Sequence, residues 1–274
     1  MFSFLRDWRR RRILRKKAID EAVFQEALGL VPLLEDLEPD ELGRLRDLAT
    51  LFLAATSFEG VRDFEVTDVM RVVVALQACL PVLELGLGAY HRVRTVLLYP
   101  DRYRSTIKRV NEDGTVEEDG SWRAGEAWDF GAIVLSWEDV LEGARDPEDG
   151  YNVVLHEFAH QLDKLDDAYD GRPPVLPGMD AEAWERDFAA ELEALQEAVS
   201  KRRRRRKAEP LIDPYGAESP EEFFAVLTET FFEMPIDLRQ EHPKLYEHLR
   251  TFFRQDPAAR LERHVERRKK RPEI

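Results

Sequence analysis

The residues best suited to chemistry are His156, Glu157 and His160, in the run His156-Glu157-Phe158-Ala159-His160. A helix turns about 100° per residue, so side chains four apart share a face. His156 and His160 can therefore present two imidazoles to one metal ion. Glu157 stands beside that face, where it can take a proton from an activated water. Val153, Val154, Leu155, Phe158, Ala159 and Leu162 supply apolar surface at helical spacing, which predicts that the run lies on a buried helix. Two imidazoles leave the site incomplete, because a catalytic zinc ion takes three protein ligands and keeps a fourth position for water.

The third donor must come from elsewhere. No histidine occurs between His160 and His242, and the single cysteine, Cys79, excludes a cysteine cluster. A carboxylate on a second helix is the other common solution. Ser219 followed by Pro220 opens such a helix, with Phe223, Phe224, Leu227, Phe231 and Phe232 as its apolar load. Glu222 and Glu229 share one face of it, seven residues apart. Glu222 also sits three residues after Ser219, where it suits a capping box that reaches back to the Ser219 amide. Glu221 points about 100° away and suits the first turn, where negative charge favours the helix dipole. Spacing alone leaves Glu222 and Glu229 both open. Asp163 and Asp166 can hydrogen-bond a histidine ring or simply end the first helix.

Several elements must position these groups. Glu21 to Leu30, Pro39 to Ala55 and Asp68 to Leu80 read as helices, and residues 21–90 as a helical region. Val93 to Tyr99 reads as a strand and Arg102 to Val110 as another, with a turn at Asn111-Glu112-Asp113-Gly114. Gly131 to Trp137 reads as a strand, either buried or at an edge where an extended substrate pairs with it. Trp122, Trp128 and Trp137 are expected to cover the sheet. After a Gly/Pro-rich loop at 170–178, Ala181 to Val199 reads as a charged helix, and the seven cations of 201–207 as a solvated loop. The expected layout is a basic segment at 1–20, one domain over 21–262 and a basic tail at 263–274. Within that domain, the sheet region is 91–137 and the metal-site helices are 148–235. The fold class is α+β, mainly helical, with a small mixed sheet against the helix of His156.

The bulk numbers narrow the setting. With 274 residues and 43% apolar content, the chain can bury a sizeable core. A formal net charge of −14 argues against wholesale nucleic-acid binding. One cysteine precludes an intrachain disulfide and fits a reducing compartment, and its apolar surroundings predict a buried, inert thiol. Charges begin at Arg6, so no signal-peptide core forms. The apolar stretch from Val72 to Leu87 is broken by Gln77, Pro81 and Glu84 and is too short to span a bilayer. The expectation is a cytoplasmic protein without a membrane span. The basic run at 9–17 reads as a solvated terminus.

The chain resembles the Mlc titration factor A family of bacterial cytoplasmic zinc metallopeptidases. The matching stretches are ACLPVLELGL (78–87), VLLYP (96–100), GAIVLSW (131–137), NVVLHEFAHQLD (152–163), DPYGAESPEEFFAVLTETFFEMP (213–235) and RQDPAARL (254–261). The spacing from Tyr215 to Glu222 is also similar to that in the catalytic domain of anthrax lethal factor. The resemblance implies a gluzincin-like fold and one zinc ion per chain. It implies that His156, His160 and Glu222 are the metal ligands, Glu157 the general base and Tyr215 the group that steadies the oxyanion. It further implies peptide or protein substrates, with a leaning to aminopeptidase activity. It also implies a regulatory role in sugar uptake through binding a transcriptional repressor, so that a non-catalytic, repressor-sequestering protein is the alternative reading. The cationic block at 201–207 and the basic N-terminus depart from the family pattern.

Overall fold

Apolar stripes in the first eighty residues close on one another as helices. The computed structural model describes residues 2–104, 108–110, 116–118, 122–123, 125–128, 131–166, 168–205 and 210–270. The first helices are α1 (Phe2–Lys16), α2 (Glu21–Gly29), α3 (Pro39–Ala55) and α4 (Asp68–Cys79). Each of the last three starts where local chemistry satisfies free amides. The Asp20 carboxylate accepts from the Ala22 and Val23 amides, a Glu38–Glu41 capping box opens α3, and Thr67 Oγ1 accepts from the Met70 amide. Leu45, Leu48, Ala49 and Phe52 of α3 are buried, as is all of α4 from Val72 to Cys79. Cys79 is fully enclosed, and burial pushes its thiol well above the usual range, so it is the inert thiol expected.

The sheet departs from expectation in two places. A strand, β1 (Ser57–Gly60), lies inside the region read as helical, and pairs in parallel with β2 (Thr95–Tyr99). Four residues of mixed polarity carry little periodicity, so the neighbouring strand decides their conformation. The segment from Arg102 to Val110 holds two short strands, β3 (Tyr103–Arg104) and β4 (Lys108–Val110). β4 pairs antiparallel with β5 (Val116–Glu118), and β3 with β6 (Trp122–Arg123). The expected turn at 111–114 lies outside the described residues, as do the side chains of Trp122 and Trp128. Trp137 packs against the core partly buried.

The main sheet runs β1-β2-β8-β7, with β7 at Gly125–Trp128 and β8 at Ala132–Ser136. The first three strands are parallel, and β7 is antiparallel to β8. β8 therefore has a neighbour on both sides and is not an edge: of the two readings of 131–137, the buried strand holds. Ile133, Val134, Leu135 and Ser136 are all buried, and among the described residues β7 is the outermost strand on that side.

The remaining helices are α5 (Trp137–Arg145), α6 (Val153–Asp163), α7 (Ala181–Arg205), α8 (Pro220–Glu233), α9 (Pro235–Glu241), α10 (Pro243–Phe253) and α11 (Pro257–Lys270). The cations from Lys201 to Arg205 extend α7 and are not the loop expected. Lys and Arg are good helix formers, and cations suit a helix C-terminus. Arg206 and Lys207 lie outside the described residues. α11 is anchored by Arg260, whose nearly buried guanidinium donates from Nε to Asp36 at 3.0 Å, and by an Arg267–Glu38 ion pair. No described helix is long and apolar enough to cross a membrane.

The helix α6 rests on a floor of aromatic rings. Phe158, fully buried, stacks edge-on against Phe52 at 5.6 Å and Tyr90 at 5.0 Å. Phe158→Ala should cost about 3–5 kcal/mol of folding free energy through lost burial and a residual cavity. Urea denaturation measures this, and a loss below about 1 kcal/mol would contradict the packing described.

Candidate metal centre

Asn152 starts α6. Its side-chain oxygen accepts from the Leu155 amide at 3.0 Å, which places His156 one turn into the helix. Ser219 does the same for α8, accepting from the Glu222 amide at 3.3 Å. The Glu222 carboxylate does not return to the Ser219 amide; it reaches across to α6. Its Oε2 lies 3.0 Å from His156 Nε2 and 3.5 Å from His160 Nε2, and the two Nε2 atoms are 3.2 Å apart. These three residues are the one group of potential metal donors of this kind among the described residues.

Glu229, the rival carboxylate, sits on the other side of the imidazole. Its Oε1 lies 2.7 Å from His156 Nδ1, and its Oε2 accepts from the Asn152 amide at 2.5 Å. One buried carboxylate thus binds both the start of α6 and the far nitrogen of His156. A carboxylate there holds the ring proton on Nδ1 and leaves the Nε2 lone pair facing Glu222. His160 has an analogous partner, with its Nδ1 3.2 Å from the Tyr169 hydroxyl. Asp163 and Asp166 do not bond either ring: Asp163 accepts from the Gly171 amide and Asp166 from the Ala168 amide.

With protons on both Nδ1 atoms, two imidazole lone pairs and a carboxylate oxygen converge on one point. Three electron-rich atoms this close repel unless a cation lies among them. A tetrahedral zinc ion bound at about 2.0–2.2 Å separates its ligand atoms by roughly 3.3–3.6 Å. The separations of 3.0, 3.2 and 3.5 Å lie within about 0.3 Å of this range, two of them shorter, and the donor set is one zinc favours. In a metal-free protein a proton takes the cation's place. Burial disfavours an imidazolium at His156, but the Glu229 charge and the hydrogen bonds it donates to Glu222 and Glu229 outweigh this and hold its pKa well above the ordinary value. Glu222 is also penalised by burial, yet the histidines beside it, His156 foremost, keep it well below the usual carboxylate range. Burial holds His160 low, as a neutral ring with a lone pair to offer.

Glu157 is buried beside the pair on α6. Tyr215 lies in a short 3₁₀ turn, Pro214–Ala217, that Asp213 opens by accepting the Tyr215 amide. Its ring is 5.8 Å from the His156 ring, and 44% of the residue is exposed to solvent. The five residues singled out for chemistry therefore come together: His156, Glu157 and His160 from α6, Glu222 from α8, and Tyr215 from the turn before α8.

Behind them lies a buried polar cluster that sequence reasoning did not find. Asn152 Nδ2 donates to Gln77 Oε1 at 2.8 Å and to Glu233 Oε1 at 3.0 Å. Asn152 could have been read as a helix cap, since it directly precedes the apolar run, and Glu233 shares the face of Glu229. Nothing in the spacing singles out Gln77 or Tyr169.

Comparison with known proteins places the chain in a family. The chain belongs to the glucose-regulated metallo-peptidase M90 family, whose profile matches residues 5–254. It is 35% identical over 231 residues to Mlc titration factor A of Pectobacterium atrosepticum, covering 84% of this chain and 85% of the relative. It is 37% identical over 233 residues to Mlc titration factor A of Edwardsiella ictaluri, covering 84% and 87%. It is also 38% identical over 255 residues to the protein slr2042 of Synechocystis, covering 92% and 90%. The resemblance carried by the HEFAH and EEFFAV blocks thus extends along most of the chain, and the family is one of metallopeptidases.

Burial pushes the Glu233 carboxyl up to about 10, against an ordinary value of 4.5, and the nearby Glu229 charge adds to the shift. It is a neutral acid at pH 7. Between those two values the unfolded chain releases this proton and the folded chain keeps it, so this group makes stability fall as pH rises. Glu233→Gln keeps the acceptor for Asn152 and removes the titration. Its stability relative to the parent protein should grow between pH 5 and pH 9. Thermal or urea unfolding at several pH values tests this, and a constant difference would refute it.

Proposed function

We propose that this chain is a zinc-dependent peptidase of the gluzincin type, with zinc held by His156, His160 and Glu222. The observation that carries the reading is the convergence of two Nε2 lone pairs and one carboxylate oxygen beside a buried glutamate, in a chain of a metallopeptidase family. When bound, zinc supplies a Lewis-acid charge that lowers the pKa of water toward neutrality and polarises a carbonyl.

The protein's own groups do the rest. Glu157 accepts the proton of the attacking water and passes it to the leaving amine. The Tyr215 hydroxyl donates a hydrogen bond to the oxyanion that develops on the substrate carbonyl. Glu229 holds the His156 ring in the tautomer that keeps Nε2 free. An extended substrate would add to the outer edge of β7, the antiparallel strand packed beside α6. The compartment is the cytoplasm and the activity of aminopeptidase type.

A second role is supported by the relatives' name. Proteins called Mlc titration factor A are similar over most of this chain, and their name describes titration of Mlc. By that likeness the chain would bind a transcriptional repressor of sugar-transport genes and regulate uptake. The alternative is that this binding is its whole function, without catalysis. A pull-down with Glu157→Gln separates the two: repressor capture that survives loss of hydrolysis is an adaptor function independent of the peptidase.

Four substitutions test the chemistry. Glu157→Gln should retain one zinc per chain and lose peptide hydrolysis by a factor of at least about 100. Cleavage at the parent rate would refute the base assignment. Glu222→Ala should lose bound zinc, whereas Glu229→Ala should keep it with affinity about 10–100-fold weaker. Metal content by elemental analysis and a chelator competition distinguish these outcomes, and the reverse order would make Glu229 the ligand. Tyr215→Phe should lower kcat with zinc affinity unchanged, and an unaltered kcat would remove Tyr215 from the mechanism.

A further inference from the structure

The two imidazoles of the site are held from behind in different ways. His156 Nδ1 faces Glu229, a buried carboxylate on α8. His160 Nδ1 faces the hydroxyl of Tyr169, a residue 43% exposed in the segment between α6 and α7. An imidazole that offers Nε2 to a metal carries its proton on Nδ1, and that N–H needs an acceptor to fix the tautomer and the ring's rotation. Tyr169 lies at hydrogen-bond distance for this task, with its ring edge-on to His160 at a centroid distance of 5.4 Å.

Tyr169 is itself held. The Lys164 ammonium sits 4.4 Å over its ring, a cation–π contact from the 3₁₀ turn that ends α6. Two residues further on, the Gly171 amide donates to Asp163 Oδ2 at 3.0 Å, tying the segment to the end of α6. Gly171 adopts φ +74, and a Cβ there would lie 2.2 Å from the Pro220 carbonyl oxygen. The segment is thus pressed between the end of the helix bearing His160 and the start of the helix bearing Glu222.

We propose that Tyr169 is a positioning residue for His160, doing for the second imidazole what Glu229 does for the first. The inference rests on the zinc-site reading above. The Nδ1–H of His160 donates to the tyrosine oxygen, which fixes the ring with Nε2 toward Glu222. A neutral phenol is a weaker acceptor than a carboxylate, so His160 is the less basic of the two donors. Its alignment depends on a segment at the protein surface, whereas that of His156 depends on the core.

The test is Tyr169→Phe, which keeps the ring, its packing on His160 and the contact with Lys164, and removes the acceptor alone. Zinc affinity measured against a chromophoric chelator should fall about tenfold. The His160 Nδ1 proton, followed by nitrogen-15 NMR of the zinc-loaded protein, should exchange faster with water than in the parent. The melting temperature of the metal-free protein should not change. Equal zinc affinity, or an unchanged His160 signal, would overturn the proposal. A weaker affinity accompanied by a lower metal-free melting temperature would also overturn it, since that marks a structural role. If the parent protein binds no zinc, the site reading falls and this inference with it. If the parent binds zinc and the phenylalanine variant binds it equally, the inference falls alone.

Discussion

Everything at the site depends on where one buried carboxylate, Glu229, places its two oxygens. One takes the amide of Asn152 and the other the Nδ1 proton of His156. The first bond satisfies an amide at the start of α6; the second decides which nitrogen of the imidazole is left for a metal. A carboxylate buried among helices is costly unless its oxygens are engaged by donors. Both oxygens here are engaged, so α6 and α8 are locked at a defined height relative to one another. That height sets Glu222, two turns earlier on α8, opposite the Nε2 atoms. The same interaction that joins the helices therefore assembles the donors.

The environment behind this pair is polar, and the environment beneath it is not. Asn152 joins Gln77 and Glu233 by hydrogen bonds at the start of α6. Phe158, Phe52 and Tyr90 pack edge to face below. Hydrogen bonds between buried polar groups restrict the arrangements open to them, and close aromatic packing resists displacement. Together they restrain the two histidines before any metal arrives. Binding then need not supply the ordering that a loose cluster of ligands would require.

Residues whose role follows from short-range rules were legible in the sequence. Helical spacing placed His156 and His160 on one face, Ser219-Pro220 announced the start of α8, and the apolar stripe of α3 delimited Pro39–Ala55. Where a choice depended on distant contacts, spacing stayed silent. Glu222 and Glu229 lie on one helix face and are equivalent by periodicity; only the height of α6 against α8 separates a group at Nε2 from a group at Nδ1. β1 is four residues that become a strand because β2 is beside them, and β8 is internal because β7 returns antiparallel along it. The cations after Val199 looked like a solvated break, yet five of them continue α7, since charge alone does not end a helix whose residues favour it. Tyr169 carried no signal because its partner is His160 in space and its own segment has no periodicity.

The anchoring of α11 bears on how the chain comes together during synthesis. Asp36 is bound by Arg260, which follows it by 224 residues, and the Leu80 carbonyl accepts from Gln255, 175 residues later. The groups around His156 lie much nearer in sequence, with Glu222 66 residues away and Glu229 73. Contacts between distant residues carry the larger loop-closure cost. A growing chain therefore holds all the groups of the candidate metal site before it has the arginine that closes the N-terminal helices. Asp36, mostly buried and raised in pKa chiefly by that burial, waits for its cation until α11 emerges.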